Sequence, residues 1–415
     1  MRIAVWHNLP SGGGKRALYY HVRGLLERGH TVEAWCPPTA DQSYLPLRDL
    51  VPEHVVPLEW TTSASRGRIG ELFSQYRSTV AKLAAMDRHC WACAEQINQG
   101  GYDVLFGNAC TFFRTTSIGR HARIASVLYL GEPFRWLYEA LPDLPWIALP
   151  VPAGRAWAPR YRYVKRFIRN LVDVQALRVQ AREEVRSARA FSRILVNSHF
   201  SRESVLRAYG LDAKVCYLGV DSGLFVNQRQ PRERFVIGLG ALVPEKRPES
   251  VIEAVSRLSE PRPDVVWVGN VAIEAYADEL RALARARAVN LRLEVGIADK
   301  DVVSLLNRAA MLVYAPRLEP FGFAPLEANA CGLPVVAVAE GGVRETVFDG
   351  INGLVVEDDP AAMARAIGRL LADPAYASRL GAAGREMIER DWSLASSIDR
   401  LERRLGEVVR SAVAG

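Results

Sequence analysis

Short apolar runs alternate along the chain with segments in which apolar residues recur every three or four positions. The first run, Ile3–Trp6, is followed by a helical pattern at Ala17–Arg28 and a second run at Thr31–Trp35. Alternation of this kind is typical of parallel sheets, because parallel neighbours are joined by helical crossovers. The pattern predicts an α/β protein with a doubly wound sheet. Further strands of this series are predicted at 104–106, 126–130, 194–196 and 214–217.

The alternation begins a second time at Phe235–Gly240. A chain of 415 residues is longer than one hydrophobic core normally supports. The polar stretch at 227–234 separates the two series and is predicted to be a linker. We therefore expect two Rossmann-like domains, 1–226 and 235–393, which face each other across a cleft. Later strands of the second series are predicted at 265–268, 291–295, 311–314 and 335–338.

Composition narrows the protein class. No run of about 18 apolar residues is present, so no membrane-spanning helix is expected. The N-terminal apolar run is short and favours a first strand over a signal peptide. Cys90 and Cys93 form a C-x-x-C spacing within a helical pattern, and without a second pair they are expected to be buried thiols. These features predict a cytoplasmic protein.

The net charge of +7 indicates a basic surface, but the chain carries no nucleic-acid-binding motif. Residues 155–193 hold eleven basic and three acidic side chains with interleaved aromatic residues. One interpretation is a basic amphipathic helix that contacts an anionic membrane, which would place the protein peripherally at the inner face. The alternative is a solvated helical insertion that packs over the cleft.

The segment Glu319–Glu327 carries the strongest functional pattern. Two glutamates lie eight positions apart around a Pro/Gly turn, after a predicted buried strand and leading into a predicted helix, Phe323–Ala330. Ligands of open α/β sheets bind at the carboxyl ends of the strands. The free N–H groups that open the helix suit an anion such as a diphosphate.

This pattern resembles the signature of retaining, nucleotide-sugar-dependent glycosyltransferases of the GT-B fold, family 4 (glycosyl transferases group 1). Neighbouring segments match the family in the same order. They are Asn197-Ser198-x-Phe200 with Tyr209-Gly210, then Gly219-Val220-Asp221 with Phe225, Gly238-x-Gly240 with Lys246, and Gly341-Gly342-x-x-Glu345.

The resemblance implies a donor site for a nucleoside-diphosphate sugar. Lys246 is expected to bind the diphosphate, and Glu319 to lie near the sugar hydroxyls and the bond that forms. Glu327 is expected to accept hydrogen bonds from the ribose hydroxyls. Gly13 and Gly14, in a predicted loop at 11–15 after the first strand, are expected to let backbone approach the diphosphate. Further donor contacts are expected from Arg247 and from the backbone of Phe321, Gly322, Phe323 and Ala324.

The chain departs from the family at two positions. Ala241 stands where the family usually has a second phosphate-binding arginine, and Gly131 where it often has a histidine near the reacting sugar. Polar residues near strand ends give acceptor-side candidates: Asn108, Glu132 and Arg135. The resemblance also places the C-terminal helix, 394–415, on the first domain.

The sequence therefore predicts a metal-independent glycosyltransferase that needs no cofactor and transfers a hexose-like sugar to a glycan, lipid-linked or small-molecule acceptor. Asp299-x-Asp301 is formally the D-x-D of metal-dependent transferases, but its place before a helix favours an N-cap. Two alternatives stay open. One is a nucleotide-sugar epimerase or hydrolase of the same fold. The other is a catalytically weak nucleotide-sugar-binding partner of another transferase.

Overall fold

The computed structural model of the protein describes residues 1–61, 73–140, 144–150 and 157–414, with side chains described except at 157–160 and 414. This part of the chain forms two compact units. The first unit comprises 1–196, 202–215 and the residues from 402 onward, and the second comprises 197–201 and 216–401.

The first unit contains a parallel sheet with the strand order β3-β2-β1-β4-β5-β6-β7. Its strands are β1 (Arg2–Asn8), β2 (Thr31–Cys36), β3 (Glu53–Val55), β4 (Val104–Cys110), β5 (Ala125–Tyr129), β6 (Arg193–Val196) and β7 (Lys214–Val215). Its helices are α1 (Gly13–Glu27), α2 (Ser74–Gln99), α3 (Ile118–His121), α4 (Arg135–Tyr138), α5 (Trp157–Ala188) and most of α6 (His199–Tyr209).

The second unit repeats this plan with the strand order β10-β9-β8-β11-β12-β13. Its strands are β8 (Phe235–Leu239), β9 (Asp264–Gly269), β10 (Leu291–Val295), β11 (Met311–Tyr314), β12 (Val335–Val338) and β13 (Gly353–Val356). Its helices are α7 (Pro248–Ser256), α8 (Glu274–Ala286), α9 (Asp299–Arg308), α10 (Phe323–Ala330), α11 (Pro360–Ala372), α12 (Pro374–Asp391) and the first part of α13 (Leu394–Ala414).

The predicted doubly wound α/β architecture is confirmed, with some changes of detail. Strand β3 was missed, because its charged sequence Glu-His-Val lacks an apolar run. The N-terminus of α1 was placed wrongly: residues 11–15 were expected to be a loop, whereas the helix begins at Gly13. The first N–H groups of a helix need no intrahelical partner, so glycines are tolerated there.

The boundary between the units falls after Val215, earlier than the predicted linker at 227–234, which lies within the second unit. The end of α13 groups with the first unit. There Glu402 accepts hydrogen bonds from Arg28 Nη1 at 3.1 Å and from His30 Nε2 at 2.9 Å.

The core of the first unit contains the C-x-x-C pair. Cys90 and Cys93 lie on α2 with their side chains fully buried, and both are free thiols. Burial raises the pKa of Cys90 to about 12, so this thiol stays protonated and unreactive near neutral pH. The interpretation of the pair as buried thiols is confirmed. Among the described helices, none is both long enough and apolar enough to cross a bilayer.

Candidate active site

The order of the second sheet reverses between β8 and β11, which are neighbours although β9 and β10 lie between them in the chain. Loops that leave such a pair at their carboxyl ends diverge and form a crevice, the usual ligand site of doubly wound sheets. The segment Gly240–Lys246 leaves β8 and the segment Ala315–Glu319 leaves β11. Two principal candidates of the sequence analysis therefore lie at the same switch point.

Lys246 and Glu319 form an ion pair there. Lys246 Nζ lies 2.5 Å from Glu319 Oε2, and the two side chains are 26% and 15% exposed. Gly240 makes room for this geometry: it has φ of 152°, and a Cβ built on it would lie 3.2 Å from Cδ of Lys246. A larger residue at this position would collide with the lysine stem. The family glycine thus lets the lysine lie across the end of β8.

Helix α10 begins directly after this pair. Gly322 precedes its first residue with φ of 89°, and no side chain caps the helix. The N–H groups of its first turn are therefore available to an anion, and the helix dipole favours negative charge at this end. Phe321 is buried and anchors the loop, with its ring 5.5 Å from that of Phe323. Glu327, one turn along, is only 8% exposed.

The glycine pair 341–342 packs against the backbone of Glu319 and Pro320. It opens a short 3₁₀ helix, Gly341–Glu345, after β12. Gly342 N donates a hydrogen bond to the carbonyl oxygen of Glu319 at 2.8 Å. A Cβ on Gly341 would lie 2.2 Å from the same carbonyl oxygen, and one on Gly342 would lie 2.2 Å from that of Pro320. Both glycines are therefore required for the backbone between β11 and α10 to pass. We call this segment, 315–322, the donor loop, after the role that the family resemblance implies for it.

Ser198 approaches the loop from another side. Its hydroxyl donates to the carbonyl oxygen of Pro320 at 2.5 Å and accepts from the N–H of Ser201 at 2.9 Å. The second bond caps the start of α6. The first bond ties the matched Asn197-Ser198 segment to the donor loop.

Arg247 is held by a partner that the sequence did not reveal. Its Nη2 lies 2.5 Å from Asp358 Oδ1, and its backbone is left-handed with φ of 55°. Asp358 follows β13, more than a hundred residues along the chain, so no local pattern signals the contact. Lys246 and Arg247 are thus each paired with a carboxylate at 2.5 Å.

Asp299 and Asp301 lie in the first turn of α9, and the N-cap residue is Ala298. The predicted N-cap assignment is therefore wrong, because both carboxylates lie inside the helix. The carboxylates still favour the positive end of the helix dipole.

The candidates of the first unit lie at the carboxyl edge of its own sheet. Gly13 and Gly14 belong to the first turn of α1, which follows β1. Asn108 lies at the end of β4, the neighbour of β1, and its buried amide donates to the carbonyl oxygen of Phe106 at 3.3 Å. These strands form the switch point of the first sheet.

Glu132 and Arg135 follow β5 and are engaged in ion pairs. Glu132 lies 3.0 Å from both Arg114 and Arg135, and Arg135 also lies 3.1 Å from Glu139. The two predicted acceptor-side groups thus neutralise each other within a partly buried cluster. These ion pairs stabilise the loop that follows β5.

A buried polar cluster in the first unit was not predicted. His7, Cys36 and Glu53 offer ligand atoms that lie within 4.8 Å of one another, and His7 Nε2 is 3.1 Å from Glu53 Oε1. Burial lowers the pKa of Lys15, whose ammonium is fully buried beside Glu53. Burial also opposes ionisation of Glu53, but the bond with His7 and the charges of His7 and Lys15 prevail and lower its pKa.

The cluster has the donor types of a zinc site, yet it already contains a cation of its own. The Lys15 ammonium beside the carboxylate opposes a second positive charge by Coulomb repulsion. We therefore interpret these side chains as a buried charge network under the N-terminus of α1.

Comparison with known proteins is consistent with this site. Residues 224–387 match the family described as Glycosyl transferases group 1. A GDP-mannose-dependent alpha-(1-6)-phosphatidylinositol monomannoside mannosyltransferase of Mycolicibacterium smegmatis is 32% identical over 47% of this chain and 57% of its own length. A D-inositol 3-phosphate glycosyltransferase of Salinispora tropica is 33% identical over 44% of this chain and 40% of its own length. The matches thus span about half the length of these curated relatives.

The fold likeness extends over the whole chain. The Anabaena protein Alr3699/HepE, solved in complex with UDP, superposes with a TM-score of 0.68 at 18% identity and covers 98% of this chain and 100% of its own. The two parallel sheets and this likeness define a GT-B protein. The match to the glycosyl transferases group 1 family lies within the second unit. The family resemblance and the fold class predicted from the sequence are both confirmed.

Proposed function

We propose that this protein is a retaining glycosyltransferase that moves a sugar from a nucleoside-diphosphate sugar to an acceptor hydroxyl. The observation that carries the proposal is the Lys246–Glu319 ion pair at the switch point of the second sheet, next to the uncapped start of α10. An ammonium and free N–H groups in one crevice are the donors that a departing diphosphate needs. The acceptor is a glycan, a lipid-linked sugar or a small-molecule glycoside.

The chemistry follows from the charges of these groups. The bond between the sugar C1 and the phosphate oxygen breaks, and the diphosphate leaves with the electron pair. Lys246 and the first-turn N–H groups of Phe323 and Ala324 stabilise the negative charge of the leaving group. The acceptor oxygen bonds to C1 on the same face, and its proton passes to the departing phosphate oxygen. The reaction therefore requires no histidine at position 131.

The ion pair also sets a sequence of events. Lys246 is neutralised by Glu319 before the donor binds. A diphosphate competes for the ammonium, and Glu319 is then free to accept hydrogen bonds from the sugar hydroxyls. We assign the ribose hydroxyls to Glu327, which is buried one turn along α10. We propose that the ammonium replaces the metal ion that other transferases use at the diphosphate, so that no metal is required.

The relatives narrow the donors that merit testing first. One relative is named for GDP-mannose, and one fold neighbour was solved with UDP-glucose. We expect one nucleoside diphosphate to raise the thermal midpoint of the full chain by roughly 5–10 °C at about a hundred times its Kd, both in EDTA and in Mg²⁺. The measurement compares GDP, UDP, dTDP and ADP, each alone and as its sugar.

Analysis of the products formed from the stabilising nucleotide sugar, with and without acceptors, separates the alternatives. Free sugar released without an acceptor would favour a hydrolase, and a new sugar epimer would favour an epimerase. Binding without turnover over a panel of acceptors would favour a partner of another transferase. A protein that none of the nucleotides stabilises would contradict the donor site itself.

We further propose that α5 brings the enzyme to an anionic membrane. Residues 155 and 156 of the predicted basic segment lie outside the described residues. Farther along, Tyr161, Val164, Ile168 and Leu171 follow one another at spacings of three and four and are between 43% and 58% exposed. At 100° per residue they share one side of the helix, and four basic residues lie on the other side. Those basic residues are Arg162, Lys165, Arg166 and Arg169.

A lipid surface fits this helix because it offers acyl chains for the apolar side and anionic headgroups for the basic side. No acidic residue occurs between 155 and 172, so nothing in that stretch repels the headgroups. The M. smegmatis relative is named for a phosphatidylinositol acceptor, which is itself a membrane lipid.

Cosedimentation with vesicles tests the membrane proposal. The protein is expected to bind phosphatidylglycerol vesicles and to bind phosphatidylcholine vesicles much more weakly. Leu171→Asp should weaken binding about tenfold, because it places a carboxylate in the apolar stripe. Ile351→Asp, at an apolar residue of similar exposure in the second unit, should leave binding unchanged. Equal partitioning of both variants and the parent protein would contradict the assignment to α5.

A further inference from the structure

Glu345 accepts three hydrogen bonds from residues more than 120 positions away in the chain. Its carboxylate accepts from the backbone N–H of His199 at 2.8 Å, from that of Phe200 at 2.9 Å and from the hydroxyl of Tyr217 at 2.8 Å. All four residues belong to the second unit. A side chain that accepts from three donors fixes the two segments that supply them, 199–200 and Tyr217.

The first of these connections leads to the donor loop through Ser198. His199 and Phe200 directly follow Ser198, whose hydroxyl donates to the carbonyl oxygen of Pro320. Glu345 therefore sets where that hydroxyl lies. On its own side, Glu345 ends the 3₁₀ helix that begins with the glycine pair, and Gly342 of that pair holds the carbonyl oxygen of Glu319.

The second connection runs through aromatic rings. The ring of Tyr217 lies 5.0 Å from that of Trp392, and Trp392 lies 5.8 Å from Phe321. Phe321 is the buried anchor of the donor loop. Burial and the neighbouring Glu345 carboxylate raise the pKa of Tyr217, which keeps its hydroxyl protonated and able to donate.

These contacts close a circuit around three consecutive residues. Glu319, Pro320 and Phe321 are held by a backbone N–H, by a serine hydroxyl and by a ring contact. Glu345 is the group that joins all three supports. We propose that Glu345 is a positioning residue that fixes the backbone of Glu319, so that its carboxylate meets the donor sugar.

The inference rests on the proposed function, and it predicts a specific split between two ligands. The nucleoside diphosphate is bound by Lys246 and the start of α10, whereas the sugar is bound by Glu319. Loosening the loop should therefore weaken binding of the sugar-bearing donor more than binding of the diphosphate. A merely structural role would weaken both equally, together with a fall in thermal midpoint.

The test uses Glu345→Gln in the full chain. The amide keeps one acceptor and turns two hydrogens toward backbone donors, so it conserves shape while breaking the circuit. We expect the Kd of the nucleotide sugar to rise about tenfold and the Kd of its nucleoside diphosphate to rise less than threefold. The probes are GDP with GDP-mannose and UDP with UDP-glucose, measured by calorimetry.

Ser198→Ala provides the second arm, because it removes the hydroxyl on Pro320 without touching Glu345. If both residues act through the loop, the double variant should lose less affinity for the nucleotide sugar than the two single losses combined. Glu233→Gln is the matched control, since Glu233 pairs with Arg308 in the same unit and is half exposed. It should leave both Kd values unchanged.

The outcomes are distinct. Parent protein that binds none of GDP, UDP, dTDP and ADP, alone or as their sugars, refutes the proposed function. Parent protein that binds, together with a Glu345→Gln variant that binds both ligands normally, overturns the positioning role. Equal weakening of both ligands overturns it as well, and so do losses that simply add in the double variant.

Discussion

Lys246→Ala is expected to lower donor turnover, measured as kcat/KM, by about a hundredfold. Removing one charged donor from a preorganised oxyanion-type site typically costs about 10²–10³ in rate. The loss here has a second cause. The variant leaves the Glu319 carboxylate, 15% exposed, without the ammonium 2.5 Å away. An uncompensated carboxylate next to the incoming diphosphate repels it.

This second cause gives the prediction a sharper form. Lys246→Ala with Glu319→Gln removes the repulsion, so the double variant should recover part of the lost nucleoside diphosphate affinity. It should recover none of the transfer rate, because Glu319 is then unavailable to the sugar. Calorimetry with the diphosphate and a steady-state transfer assay separate the two effects.

Lys300→Ala is the control for this experiment. Lys300 is an exposed lysine in the first turn of α9. The Lys300→Ala variant should bind and turn over the donor like the parent protein. A Lys246→Ala variant within threefold of the parent would show that the switch-point lysine does not contact the diphosphate.

Local sequence patterns predicted the parts of this site that depend on neighbouring residues. The bounds of α10 follow from an apolar run, from Pro325 in its first turn and from Gly332 just past its end. The positions of Lys246 and Glu319 at the ends of their strands follow from the alternation of strands and helices, and the switch point follows from strand order. Lys246 and Glu319 lie close together because β8 and β11 are neighbours in the sheet. The resemblance to the family implied this arrangement, whereas local patterns did not.

Sequence patterns did not predict the contacts between segments that are distant in the chain. Asp358 pairs with Arg247, and Glu345 with Tyr217, although no spacing along the chain connects either pair. Lys15 was expected in a loop and lies fully buried. Packing of α1 on its sheet decides that burial, and the residue type alone favours the opposite. The sequence thus predicted most of the elements and the side chains at the strand ends, whereas the contacts around those side chains required three-dimensional structure.

Gly341→Ala is expected to reduce nucleotide-sugar turnover at least as severely as Lys246→Ala, although position 341 carries no functional group. The new Cβ would lie 2.2 Å from the carbonyl oxygen of Glu319 and 2.8 Å from its nitrogen. Neither atom belongs to a flexible side chain, so the overlap is relieved only if the backbone of Glu319 moves. An error of about 1 Å in a reacting group costs on the order of 10²-fold in rate.

Gly296→Ala separates this displacement from ordinary backbone strain. Gly296 has φ of 70°, close to the 61° of Gly341, but nothing lies within 4 Å of a Cβ built on it. Gly296→Ala should lose about 1–2 kcal/mol of unfolding free energy, because alanine is strained in the left-handed region. Only Gly341→Ala should lose more than this and lose turnover as well.

The measurements are urea unfolding and steady-state turnover of the nucleotide sugar that stabilises the parent protein. If both variants lose similar stability and keep similar turnover, the glycine turn does not constrain Glu319. If Gly341→Ala loses turnover while Gly296→Ala keeps it, the position of the Glu319 backbone controls catalysis. That result would also separate the supports of the loop from its chemistry, because the glycine contributes only the space through which the backbone of Glu319 passes.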